Sequence, residues 1–62
     1  MLYLIEIGWR GKVGTMERHY VETDTLELAA AIALKKSQSE WKDEEDLAVI
    51  EASLISTDPV LR

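Results

Sequence analysis

The chain has 62 residues, with 47% hydrophobic and 31% charged residues and a net charge of -5. That length allows one domain with one small core. The absence of cysteine and the single histidine exclude a disulfide framework, a thiolate metal site and a multi-histidine site within the chain.

The composition is that of a folded chain rather than a disordered one. No apolar run approaches the ~20 residues that span a bilayer. The opening apolar segment lacks a basic leader and is interrupted by Glu6, so a signal peptide is not expected and a cytoplasmic location is. Charge is uneven. Residues 1–20 carry Arg10, Lys12 and Arg18 against Glu6 and Glu17, whereas residues 21–62 carry ten acids against Lys35, Lys36, Lys42 and Arg62. A broad acidic surface repels phosphate and counts against general nucleic-acid binding.

The first element, "LYLIEIGW", reads as a strand over about 2–10. Tyr3, Ile5, Ile7 and Trp9 alternate onto one face, and Leu2 and Leu4 onto the other. "RGKVGT" follows, with Gly11 and Gly14 supplying the positive φ of a tight reversal. A second strand over about 15–23 completes a hairpin. A four-residue loop predicts Trp9 opposite Met16, Ile5 opposite Tyr20, Leu4 opposite Val21 and Glu6 opposite His19; a slip of one residue inverts that sorting.

"TDTLELAAAIALKK" predicts a helix over about 25–40, with Asp24 as N-cap and Glu27 completing a capping box. Leu26, Ala29, Ala30, Ala33, Leu34, Ser37 and Trp41 share one broad side. "KDEED" reads as a solvated connector. "LAVIEASLIS" fits either a strand over 47–56 or a helix with a Leu47, Ile50, Leu54 stripe; its β-branched Val49, Ile50 and Ile55 favour the strand. Residues 57–62 form a tail in which Pro59 ends regular structure.

This order predicts an α+β fold, β-β-α-β, with a three-stranded antiparallel sheet of order 2-1-3 and one helix on one face. The covered face is expected to hold Tyr3, Ile5, Ile7, Trp9, Met16, Ile50 and Leu54. The open face is expected to hold Leu2, Leu4, Val21, Leu47, Val49 and Ile55. Each buried Leu or Val contributes about 1.5–3 kcal/mol. A small domain is not expected to leave six such residues wet, so these six are the candidate partner-binding residues. The alternative is that Val60 and Leu61 of the tail fold over that face.

No catalytic, cofactor or metal site is expected, and the chain is not expected to be an enzyme. Ser37, Ser39, Ser53 and Ser56 lack a triad context, and Glu44, Glu45 and Asp46 are adjacent rather than at ligand spacing. A basic hairpin bearing Arg10, Lys12 and Arg18 beside Trp9 is the alternative site, for nucleic acid. The run "MLYLIEI", a glycine turn and "YVETDTLELAAAIA" resembles, over residues 2–33, small accessory proteins of phages and mobile elements such as the DpnD/PcfM-like group. That resemblance implies a non-enzymatic phage factor that binds and inhibits a host protein in the host cytoplasm. The combined expectation is a protein-binding module, self-associating as a dimer or bound to a host protein.

Overall fold

The computed structural model describes residues 1–56. The expectation for the tail, Val60 and Leu61 included, lies outside the described residues. Three strands and one helix follow in chain order: β1 Leu2–Trp9, β2 Glu17–Glu22, α1 Leu26–Glu40 and β3 Leu47–Ser56. The strands form one antiparallel sheet of order β2-β1-β3, as expected. Residues 47–56 form a strand, which decides between the two readings of that segment.

The helix lies against one face because its inner stripe is small. Ala29, Ala33 and Ser37 recur every four residues and are buried, which brings the helix backbone close to the sheet. They pack with Tyr3, Ile5 and Ile7 of β1 and with Leu47 of β3. Ile5 and Ile7 are fully buried, and each contributes about 1.5–3 kcal/mol of transfer free energy. Trp9, Met16, Val21, Ala30, Leu34, Val49 and Ala52 pack partly buried around them.

The helix N-cap is Thr25, not Asp24. The Thr25 hydroxyl accepts from the amide of Leu28 at 3.1 Å, so the third helical position holds leucine and the capping box through Glu27 does not form. Helix formation starts one residue later than the acidic residue suggests.

The hairpin register also differs by one residue from the expectation. Tyr3 pairs with Val21, Ile5 with His19, Glu6 with Arg18 and Ile7 with Glu17. The connection spans residues 10–16 rather than four. Its first turn closes with the Lys12 amide on the Trp9 carbonyl at 3.1 Å, with Gly11 at φ 78° where a type II turn requires glycine. Gly14, at φ 117°, completes the reversal, and Met16 donates its amide to Ile7 at 2.7 Å. The shift turns Val21 and His19 toward the helix and Tyr20 away from it.

Strand β3 carries two irregularities against β1. Leu2 pairs with Ser56 and Tyr3 with Leu54, so Ile55 is an extra residue. Glu6 pairs with Glu51 and Ile7 with Val49, so Ile50 is another. The helix-facing positions of β3 therefore run Leu47, Val49, Ala52, Leu54. Strict alternation fails at both bulges. Val21, Leu47 and Val49, expected on the open face, belong to the covered one. Ile50, expected beneath the helix, lies on the open one, where its side chain crosses the space a Cβ at Gly8 would fill.

Candidate functional site

Among the described residues the face opposite the helix is uncovered at its Leu2 and Leu4 end. At its Gly8 end the connection of residues 10–16 crosses it, with the Gly14 carbonyl oxygen 2.7 Å from where a Gly8 Cβ would sit and the Thr15 hydroxyl on Glu6. The face is built in cross-strand rows of three. One row holds Tyr20, Leu4 and Ser53, and the next holds Glu22, Leu2 and Ser56 with Ile55 bulged beside it. Tyr20 is 66% exposed, Ile55 50% and Ile50 41%. Leu2 and Leu4 are half-buried between their neighbours. Leu2, Leu4 and Ile55 are thus brought together as predicted. Val21, Leu47 and Val49 are not; Leu47 is only 4% exposed, in the core.

Tyr20 and Ile50 complete the patch, and sequence reasoning missed both. Tyr20 was hidden by the register and Ile50 by the bulge. A central row of charge crosses the same face: Arg18 on β2, Glu6 on β1 and Glu51 on β3. Glu6 accepts from the Thr15 hydroxyl at 2.7 Å, and Arg18 Nε lies 3.8 Å from it. The face carries Leu2, Leu4, Tyr20 and Ile55 at one end with the ion pair of Glu22 and the N-terminal ammonium at its corner, charge across its middle, and Ile50 beside Gly8 at the other end.

A polar cluster lies on the covered side. Glu17 and His19 share the helix-facing side of β2, and Ser37 and Trp41 stand one helical turn apart. Ser37 donates to Glu17 Oε1 at 2.8 Å, and Trp41 Nε1 donates to Glu17 Oε2 at 3.0 Å. His19 Nε2 lies 3.0 Å from Glu17 Oε1 and 2.9 Å from Ser37 Oγ. The Ser37 hydroxyl has one hydrogen, which it gives to the carboxylate, so His19 Nε2 carries a proton and donates. A serine that is 0% exposed and has spent its proton on a carboxylate is not an activated nucleophile. The cluster satisfies buried polar groups and clamps β2 to α1. A polar residue at the third position of the Ala29, Ala33, Ser37 stripe is the sequence signal for it, since a buried hydroxyl needs a partner. His19 faces Ile5 across the strands, not Glu6 as expected.

The basic hairpin is not a continuous cationic surface. Arg18 joins Glu6 on the open face. The Arg10 amide donates to the Asp46 carbonyl at 2.7 Å, which sets the "KDEED" connector beside the hairpin tip. Trp9 Nε1 donates to Glu44 at 3.0 Å, so the aromatic residue of that site is engaged by a carboxylate. Among the described residues no group of three or more His, Asp or Glu side chains is placed to hold a metal ion. A shallow groove along the outer helix is lined by Ile32, Lys35, Lys36, Ser39 and Glu40, all from α1 itself. No helix among the described residues is long and apolar enough to cross a membrane. No protein-family model, curated protein or solved structure matches the chain.

Proposed function

We propose that this chain is a small non-enzymatic interaction module that binds protein through its open sheet face. The observation that carries the reading is the contiguity of Leu2, Leu4, Tyr20 and Ile55 at the end of the face that no described element covers, while α1, the one helix among the described residues, is committed to the other side. Exposed apolar clusters of this kind mark contact surfaces, and an exposed tyrosine among aliphatic residues is a frequent contact anchor. The resemblance of residues 2–33 to DpnD/PcfM-like accessory proteins supports the same class of activity and a phage origin, with a second copy or a host protein as the partner. Acids set against the hairpin tip weigh against the nucleic-acid alternative, because they cancel the field that would attract phosphate.

A photo-crosslinking residue in place of Tyr20 tests this in cells, with Ala31 on the exposed helix surface as control. The reading expects protein adducts from position 20 and not from position 31. No adduct from position 20, or equal yields from both, overturns it.

A further inference from the structure

We infer that the occupant of the open face is a second copy of this chain, packed sheet to sheet about a two-fold axis that runs along β1; this rests on the open-face reading above. The charged row selects that axis. Arg18, Glu6 and Glu51 are cross-strand neighbours, in that order from β2 to β3. Rotation about an axis along β1 keeps every row at its own height and exchanges the two outer strands. Arg18 of each copy then falls on Glu51 of the other, twice per dimer, as an isologous interface demands. A two-fold axis across the strands through the same row would instead set Arg18 on Arg18 and Glu51 on Glu51. Glu6 faces its own counterpart at the axis in both orientations, so the two outer contacts decide, and only the first orientation matches them in charge.

Within one copy Arg18 and Glu51 do not pair; they lie two strands apart, roughly 9.6 Å at the usual strand spacing. The Arg18 contact to Glu6 is through Nε alone, which leaves the terminal guanidinium nitrogens for Glu51 of the other copy. Glu6 comes to the axis with donors already in place, the Thr15 hydroxyl at 2.7 Å and Arg18 at 3.8 Å. On one side of the charged row, Leu4 and Leu2 meet their own counterparts along the seam, and Tyr20 covers Ser53 beside Ile55 of the other copy. Aligned sheet packing of this sort is a common way to bury two sheet faces.

Size sets the strength. Three strands about 4.8 Å apart and eight residues at about 3.3 Å each give a footprint of roughly 14 by 26 Å. That is roughly 360 Å² per copy, below the size of stable interfaces, so the dimer is weak and its population depends on concentration.

The test is charge reversal read by sedimentation velocity, with circular dichroism to confirm that each variant is folded. The wild-type chain is expected to shift toward twice its mass as concentration rises. Arg18→Glu alone and Glu51→Arg alone each place like charges at both contacts and are expected to raise the dissociation constant about tenfold or more. An equimolar mixture of the two variant proteins restores matched pairs and is expected to associate at least as well as wild type. Lys35→Glu and Glu27→Arg, the same charge changes on the exposed helix surface, leave association unchanged. A wild-type chain that stays monomeric throughout, single variants that behave as wild type, or a mixture that fails to associate overturns the second copy as occupant. Crosslinked product from position 20 at twice the chain mass supports it. Product only at other masses overturns it while leaving the open-face reading standing.

Discussion

Ser37 on the helix and Glu17 on β2 meet across 2.8 Å, the serine donating and the carboxylate accepting. The pair converts a polar position in an alanine stripe into a tether between α1 and the sheet edge. Loss of the hydroxyl in Ser37→Ala removes one donor from Glu17 and one acceptor from His19. It is expected to cost about 1 kcal/mol of unfolding free energy, measured by urea denaturation at neutral pH. No loss at all would mean that the tether does not contribute.

The Glu17 carboxyl is held below its ordinary value of 4.5. The largest cause is the hydrogen bond from Trp41; the Ser37 bond follows, and the His19 bond and charge add to it against an opposing effect of burial. A group whose folded value is depressed contributes stability that is present above its unfolded value and is lost as pH falls through the lowered one. The stability gap between wild type and Glu17→Gln is therefore expected to be full above pH 4.5 and to shrink below it. Urea midpoints of both proteins across that range measure the gap; a gap that widens on acidification contradicts the assignment.

Gly8 has no room for a side chain. A Cβ there would sit 2.7 Å from the Gly14 carbonyl oxygen and 2.9 Å from Ile50 Cδ1. Gly8→Ala is expected to destabilise by about 1–3 kcal/mol through overpacking. Ile50→Ala in the same chain relieves only the side-chain contact, because the Gly14 oxygen is backbone. It is not expected to restore the wild-type midpoint.

The helix start separates two adjacent residues by their effect. Thr25→Ala removes the cap on the Leu28 amide and is expected to cost about 1 kcal/mol. Asp24→Ala removes a carboxylate near the positive end of the helix dipole, which contributes roughly a few tenths of a kcal/mol. Thermal or urea unfolding of the two variants gives the order directly.

The fold was legible because three signals were strong: the two-faced run of β1, the alanine stripe of α1 and the β-branched residues of β3. The faces were less legible, for two physical reasons. In "ERHYVE" both Tyr20 and Val21 are apolar, so hydrophobic alternation does not choose between registers one residue apart; the turn geometry at Gly11 and Gly14 chooses. In β3 the bulges at Ile50 and Ile55 add a residue each, and a period of two read through them assigns Val49 and Ile50 to the wrong sides. The Glu17, His19 and Ser37 cluster becomes visible only once the register is known, since it joins β2 to a helix that follows it.

The corrected faces make their own prediction within a single strand. Val49 packs against the core beneath the helix, whereas Ile55 is half-exposed on the open face. The same substitution therefore has opposite consequences at the two positions. Val49→Glu pushes a carboxylate toward apolar neighbours and is expected to cost about 3 kcal/mol or to leave the chain unfolded. Ile55→Glu adds a charge to a solvent-facing position, changes unfolding free energy by no more than about 0.5 kcal/mol, and lowers the yield of protein adducts from position 20. Chemical denaturation and crosslinking on the same two proteins decide the matter: equal destabilisation would mean that the two side chains share a face, and an undiminished yield with Ile55→Glu would mean that the contact surface lies elsewhere.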